Sequence, residues 1–522
     1  MPIKPQRLLH EILPIHARNH PDKVAVVVGG ESYTYTQLED QSARLAAALQ
    51  QRGLGRGDRV AIYMDNTWPC VVSIYAVLRA GATFLVVNPQ TKQDKLAYVL
   101  NDCTVRHLIT DAHLAFVFRE VLPDVPSLTH LIVSGGDKVA EQCEGLSPAA
   151  EVFETVVEGT PAGPIDPGTI ALDLASLIYT SGSTGNPKGV MHTHQSMLFA
   201  AQSLIEYLRM DEREVIINVL PMAFDYGLYQ MLMAVQMGAT LVLERSFTYP
   251  AEVFKRMEQH GVTAFPGVPT IYSMILAAHG RKPLSFPSVK RITNTAAALP
   301  ADYVPRLKEV FPNALIFKMY GLTECKRVSY LEPELAEVKP RSVGKAIPGT
   351  EVYLLSPEGE PVGPGEPGIL HVRGPHLMRG YWNLPEKSAE MLKDGPYPGE
   401  KVLRTGDWFH MDEDGCLYFE GRSDDIIKTR GEKVSPVEVE NALYAIPGVE
   451  EAAVIGVSDD LLGQAVRAYV VLAAGSELDE RRLRKELTSR LENFMVPRDI
   501  LLVDSLPKSA NGKINKKDLV AT

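Results

Sequence analysis

The sequence predicts an α/β protein. A large N-terminal domain of parallel sheets covered by helices carries a small β-barrel-like subdomain, and an α+β C-terminal domain follows. Three observations predict this. Strand-like and helix-like segments alternate through the first 170 residues, residues 350–420 break into short β-rich runs between Gly and Pro turns, and the pattern changes again after Arg422. A chain of 522 residues is also too long for one ordinary core.

The elements follow in order. Residues 36–51 (TQLEDQSARLAAALQQ) place Leu38, Leu45, Ala46 and Leu49 on one helical face, with Gly53 as a stop. Residues 58–63 (DRVAIY) read as a buried strand, residues 68–80 as a helix ended by Gly81, and residues 83–87 as a strand closed by Asn88-Pro89. This strand–helix–strand rhythm implies a parallel sheet with helices on it. It continues through strands at 215–220, 239–243, 264–265 and 315–318. The runs VYLLSPEGE, GILHVRG and GCLYFEGR suggest a small antiparallel sheet or distorted barrel. Beyond Arg422, a helix at 437–445, strands at 451–457 and 465–472 and an amphipathic helix at 478–491 form a compact unit of domain size. The expected division is residues 1–422 and residues 423–522.

Composition removes several function classes. Hydrophobic residues make up 45% and charged residues 22%, which is globular rather than disordered or fibrous. The net charge of −11, without a basic block, argues against nucleic acid as a partner. The N-terminus lacks a secretory pattern. Apolar runs such as residues 84–87 and 174–178 fall far short of the ~20 residues that span a bilayer, so no membrane insertion is expected. Five scattered cysteines without a CxxC pair favour reduced thiols and a cytoplasmic location.

The chemistry concentrates at residues 177–190, LIYTSGSTGNPKGV. A buried strand runs into small and hydroxylated residues and then into Pro187-Lys188-Gly189. Gly182, Gly185 and Gly189 let the backbone turn with its amides inward, making an anion site. Thr180, Ser181, Ser183 and Thr184 add hydroxyl donors and Lys188 a positive charge, a set suited to a polyphosphate. A Walker loop would end in Gly-Lys-Ser/Thr, which this segment does not.

TSGSTGNPKG resembles the phosphate loop of the adenylate-forming superfamily: acyl- and aryl-CoA synthetases, peptide-synthetase adenylation domains and luciferases. The resemblance covers essentially the whole chain, and further segments follow in the family's order. They are LRAGATFLVVNP (78–89), MYGLTE (319–324), GKAIPG (344–349), GYWN (380–383), RTGD (404–407), GRSDD (421–425), RGEKVSPVE (430–438) and PKSANGK (507–513). The chain most resembles a free-standing adenylation enzyme.

The resemblance implies an ATP- and Mg²⁺-dependent ligase that makes an acyl-adenylate and passes the acyl group to a thiol. Asp407 and Arg422 would hold the ribose, Tyr320 the adenine, Thr323 the α-phosphate and Glu324 the metal. Lys513 would arrive with the C-terminal domain to neutralise charge beside Lys188. Asp424 matches the hinge, and Gly431 a loop lining the pantetheine channel. The set Phe224, Asp225, Tyr229, Pro266, Thr295, Met319 and Arg327 would line the acyl pocket.

Phe224-Asp225 is similar to the Phe-Asp pair of amino-acid-activating domains, and a carboxylate in an apolar pocket needs a cation. That favours an amino or imino acid as the small carboxylic acid substrate, with a fatty- or aryl-acid CoA ligase as the alternative and a phosphotransferase or ATPase as a remote one. Arg327 weighs against the amino acid, because a buried guanidinium prefers an acidic group or could pair with Asp225 itself. The end of the chain at Thr522 leads to the expectation of a separate acceptor, either CoA or the phosphopantetheine of a free-standing acyl or peptidyl carrier protein.

Two signals are set aside. GPGEPG at 363–368 has the letters of a dinucleotide fingerprint but lacks the helix that should follow. His192-x-His194 has no third metal ligand nearby in sequence and reads as a helix-start pair.

Overall fold

The computed structural model describes residues 6–519 apart from 164, 181–185, 423–424, 426, 430–431, 460–462, 492 and 510–512. Among the described residues the strands form four sheets. The first has nine strands, with Val24–Val28, Thr240–Leu243, Val215–Asn218, Ala264–Gly267, Arg291–Asn294 and Leu315–Tyr320 parallel at its centre. The second has eight, with Leu174–Thr180, Thr83–Val87, Arg59–Tyr63, His107–Asp111 and His130–Ser134 parallel to one another. The α/β layers read from the sequence are therefore present.

Helices packed between these two sheets make the main core. Trp68–Arg79 buries ten consecutive or near-consecutive side chains from Trp68 to Leu78 and is apolar on every face, as a helix enclosed by two layers must be. Tyr35–Gln51 starts one residue earlier than its sequence pattern suggests. Thr34 Oγ1 accepts from the Gln37 amide at 3.2 Å while Gln37 Oε1 accepts from the Thr34 amide at 2.7 Å. That reciprocal cap stabilises the helix by about 1 kcal/mol. Its apolar face, Leu38, Leu45, Ala46 and Leu49, is fully buried. The helices Gln93–Asp102 and Ala115–Val121 cover the outer face of the second sheet around a separate apolar cluster.

Antiparallel strands flank the parallel centres of both sheets, and one such pair bears on the site. Leu174–Thr180 and Lys188–Thr193 pair antiparallel, with Thr180 opposite Lys188, so the phosphate-loop segment joins the two arms of a hairpin. A hairpin returns Lys188 beside the strand that launched the loop, which a loop leading into a helix would not do.

The antiparallel sheet expected in residues 350–420 is built from Glu351–Leu355, Gly368–Arg373, Lys401–Met411, Leu392–Asp394 and Leu417–Arg422. The fourth sheet lies beyond Arg422, where Val449–Asp459 and Gly463–Leu472 form a long hairpin and Asp499–Leu502 adds in parallel. Val439, Leu443, Val454, Val466, Leu483 and Ile500 give this part its own core. Its amphipathic helix is shorter than its sequence pattern, Glu480–Thr488, capped by Asp479 at the Arg482 amide. No helix among the described residues is long and apolar enough to cross a membrane. All five cysteines are buried and free.

Candidate active site

The site residues gather beyond the carboxyl ends of the parallel strands, where open α/β sheets place their ligands. Met319 and Tyr320 end the strand Leu315–Tyr320, Thr295 follows Arg291–Asn294, and Pro266 lies in Ala264–Gly267. Phe224 caps the helix Asp225–Met237, which presents Asp225 and Tyr229. Gly227 in that helix has no room for a side chain: a Cβ there would lie 2.4 Å from the Pro221 carbonyl oxygen. The close approach fixes where Asp225 enters the site.

The residues expected at the nucleotide come from two sheets. Asp407 and Arg422 are register partners on Lys401–Met411 and Leu417–Arg422, and Arg422 Nε lies 3.5 Å from Asp407 Oδ1. The hydroxyl of Tyr320 donates to the other oxygen, Asp407 Oδ2. Burial raises the Asp407 pKa above its ordinary value, against the opposing pull of Arg422 and Tyr320. The Tyr320 ring is held edge-on by Phe409 at 4.8 Å and stacked near Phe419 at 6.1 Å. This supplies one flat aromatic surface beside a buried carboxylate.

The Thr323-Glu324 loop is fixed from both sides. His192 Nε2 donates to the Thr323 carbonyl at 2.9 Å, and burial pushes its pKa down to about 4, which keeps the ring neutral. Tyr381 donates to Glu324 Oε1 at 2.6 Å, and its ring lies 4.5 Å beneath Lys188 Nζ. The second Glu324 oxygen has no protein partner among the described residues. A carboxylate with one oxygen anchored and one free fits a Mg²⁺ ion that takes its remaining ligands from phosphate and water. His194 does not join His192 in a metal pair; its Nδ1 accepts from the Leu9 amide at 3.2 Å.

Lys513 enters from the C-terminal part. Its carbonyl accepts from the Ser509 amide at 2.7 Å, closing a small hairpin between Lys508 and Ile514. Burial first, then Arg422, lowers the pKa of its ammonium, and the carboxylates of Asp225, Asp407 and Glu324 oppose the fall. Lys513 is thus within electrostatic range of all three, although they lie far apart in sequence. Thr180 and Lys188 flank the phosphate loop, whose Ser181, Gly182, Ser183, Thr184 and Gly185 lie outside the described residues. The expected hinge residue Asp424 and channel residue Gly431 also lie outside them.

The acyl-pocket set is brought together as well, with one partner that the sequence did not single out. Lys326 Nζ lies 3.3 Å from Asp225 Oδ2 and donates to the Asp225 carbonyl at 3.0 Å. Lys326 is 2% exposed, and its ammonium also lies 4.5 Å from the Tyr229 ring. Burial pushes its pKa down to about 7, and Asp225 opposes that fall. Burial would raise Asp225 in turn, but Lys326 and Arg327 hold it below the usual carboxylate range. Asp225 is therefore paired with Lys326 rather than Arg327. The Arg327 guanidinium, 1% exposed, donates from Nη1 to Thr295 Oγ1 at 2.5 Å.

Three positioning residues, His192, Tyr381 and Lys326, escaped the sequence reading. His192 and Tyr381 lie in segments already singled out, but their contacts cross more than fifty residues of chain and left no local signal. Lys326 carried a signal that was available: a lysine two residues after MYGLTE, beside an arginine already assigned to the pocket.

Comparison with known proteins identifies the family. Residues 13–382 match the AMP-binding enzyme family, and residues 438–513 match the AMP-binding enzyme C-terminal domain. The chain is 33% identical to a long-chain-fatty-acid–CoA ligase of Bacillus subtilis (strain 168), over 99% of this chain and 94% of that one. It is 30% identical to tyrocidine synthase 3 of Brevibacillus parabrevis, over 98% of this chain but 8% of that much longer protein. A solved anthranilate CoA ligase in complex with anthranoyl-AMP superposes with a TM-score of 0.89 at 28% identity, covering 98% of this chain and 96% of the other. The chain belongs to the AMP-binding enzyme family, the AMP-forming acid–thiol ligases.

Proposed function

We propose that this chain is an acid–CoA ligase: it converts a carboxylic acid and ATP to an acyl-adenylate and pyrophosphate, then transfers the acyl group to the thiol of CoA. The amino- or imino-acid reading gives way to its alternative. The observation that carries the choice is the Lys326–Asp225 pair. A pocket that recognises a substrate ammonium needs a carboxylate free to receive it, and here a lysine of the chain supplies that cation. Relatives matched along nearly their whole length point the same way, since the ligases are spanned end to end.

In the first half-reaction the ionised substrate carboxylate attacks the α-phosphorus. A new O–P bond forms, the α–β bridging bond breaks, and pyrophosphate leaves. No base is required, because a carboxylic acid of pKa near ~4 is already ionised at neutral pH. The protein aligns the anions and neutralises the charge that builds up. Lys188 and the loop 180–185 serve the β- and γ-phosphates, Thr323 the α-phosphate, Asp407 with Arg422 the ribose, and Tyr320 the adenine. Glu324 would hold Mg²⁺, which offsets phosphate charge. Lys513 lies within electrostatic range of the carboxylates and would meet the α-phosphate there.

In the second half-reaction the CoA sulfur attacks the acyl carbonyl, a C–S bond forms, and AMP leaves with the electron pair of the broken C–O bond. Rotation of the C-terminal part about Asp424 would withdraw Lys513 and bring Gly431 to the pantetheine path. Purified protein, ATP, Mg²⁺ and CoA incubated with fatty, aryl and amino acids test the reading by pyrophosphate release and mass detection of acyl-CoA. Acyl-CoA from a fatty or aryl acid is expected. Pyrophosphate exchange confined to amino acids, with transfer only to a carrier protein, would restore the other reading.

A further inference from the structure

The buried end of the acyl pocket holds more positive than negative charge. Lys326 and Arg327 are adjacent in the chain and both almost fully buried, and among the described residues the carboxylate paired with them is that of Asp225. Asp225 is committed to Lys326 at 3.3 Å. Arg327 has no carboxylate within ion-pair distance among the described residues. Its direct side-chain contacts are neutral, the Thr295 hydroxyl at 2.5 Å, the Tyr226 ring at 5.7 Å and the Tyr207 hydroxyl, while Asp225 and Lys326 act on it only at longer range. Its Nε is buried with no hydrogen-bond partner.

Such a guanidinium is costly to bury, and cation–π contact with one tyrosine offsets only part of the cost. The backbone also holds it under strain. Lys326 adopts φ +61°, and the Arg327 amide donates to the Cys325 carbonyl at 2.6 Å, so a tight turn delivers the two cations side by side. Opposite, Ala296 adopts φ +76° directly after Thr295. Non-glycine residues in this region are uncommon and persist where the surrounding structure imposes them.

Resting on the ligase reading above, we infer that Arg327 is a specificity-determining residue that receives an oxygen acceptor at the distal end of the substrate. The substrate class is then a carboxylic acid with a second carboxylate or a hydroxyl remote from the reacting carboxyl, rather than a plain alkyl or aryl acid. The planar guanidinium supplies Nε and Nη donors in the fork that matches a carboxylate, and one of them serves a hydroxyl. Tyr226 and Tyr229 form aromatic sides for the body of the acid. A site built around a buried donor discriminates strongly against an analogue that leaves the donor unpaired.

The test uses matched acids with the full-length enzyme, ATP, Mg²⁺ and CoA: benzoate, 3-hydroxybenzoate and isophthalate, and hexanoate, 6-hydroxyhexanoate and adipate. Wild-type kcat/KM should favour the acceptor-bearing member of at least one series by about 10²-fold over its plain counterpart. The hydroxyl and carboxylate arms tell which acceptor is taken. Arg327→Met should collapse that ratio to within about threefold, and Arg327→Lys should retain part of it. An unfolded Arg327→Met protein would shift the test onto Arg327→Lys and onto the wild-type ratios. Preference of the wild type for plain acids, or an unchanged ratio in a folded Arg327 variant, would overturn the inference while leaving the ligase reading intact. Absence of acyl-CoA from every acid, in wild type, would overturn the ligase reading and this inference with it.

Discussion

Lys326 and Asp225 form a largely buried ion pair, with Nζ 3.3 Å from Oδ2 and a second bond of 3.0 Å from the same ammonium to the Asp225 backbone oxygen. Each charge depends on the other. Removing either partner leaves an uncompensated charge, whereas removing both leaves none.

Lys326→Met alone is therefore expected to destabilise the protein by about 3–5 kcal/mol. Asp225→Leu alone should cost less, because Asp225 is more exposed and Lys326 can deprotonate from its lowered pKa. The double variant Lys326→Met/Asp225→Leu should recover most of the loss. Thermal melts of the four proteins read the coupling, and simple additivity of the two single changes would show that the pair is not one unit.

The Tyr320–Asp407–Arg422 group yields a prediction that separates nucleotide from acid. Asp407→Ala removes an acceptor already surrounded by a hydroxyl and a guanidinium. Charge-assisted hydrogen bonds of this kind contribute about 1.5–3 kcal/mol, so the KM for ATP should rise roughly 10- to 10²-fold. The KM for the acid should change little. Steady-state kinetics with each substrate varied in turn checks this, and a rise confined to the acid would remove Asp407 from the nucleotide site.

The strand–helix layers were legible because periodicity and punctuation are local. The strand Thr83–Val87 was readable to the residue, since Gly81 and Asn88-Pro89 bracket it. The hairpin that returns Lys188 beside Thr180 was not, because antiparallel pairing depends on partners the local pattern does not specify. The candidate nucleotide residues were picked out by short motifs whose order matched a family. The partner of Asp225 was not legible for a physical reason: a sequence shows that Asp225 needs a cation but not which one. Lys326 reaches it through a turn at φ +61°, a conformation with no signature in a lysine.

Buried histidines set an acid limit. Burial pushes His107, His192, His194 and His376 down to about 4, and His10 to about 3. Their unfolded value is near ~6.5, so between about pH 6.5 and 4 the unfolded chain binds more protons than the folded one. Stability is then full above about pH 6.5 and falls as pH drops toward 4, by up to about 1.4 kcal/mol per unit for each group. His107 stacks on His130 at 4.7 Å, and both its ring nitrogens lack partners. His107→Leu should flatten the melting temperature against pH between 6.5 and 5. An equally steep profile in that variant would assign the acid loss elsewhere.

The last prediction concerns Lys513 and the division of labour between half-reactions. Its ammonium lies within electrostatic range of Asp225, Asp407 and Glu324, on a segment of the C-terminal part where Lys508 pairs with Ile514. That position suits a charge that meets the α-phosphate during adenylation and has no task at the carbonyl when the thiol attacks. Lys513→Ala should slow pyrophosphate exchange by about 10²–10³-fold, the usual loss when one preorganised donor to developing charge is removed. Thioester formation from a synthetic acyl-adenylate and CoA should stay within a few-fold of wild type, because that step begins after the α-phosphate has been substituted. Lys513→Arg keeps the charge but changes its shape and reach, so partial recovery of exchange is expected. Single-turnover measurements of the two steps read both effects on the same protein. Equal loss in both steps would mean that Lys513 holds the domain arrangement rather than the reacting phosphate.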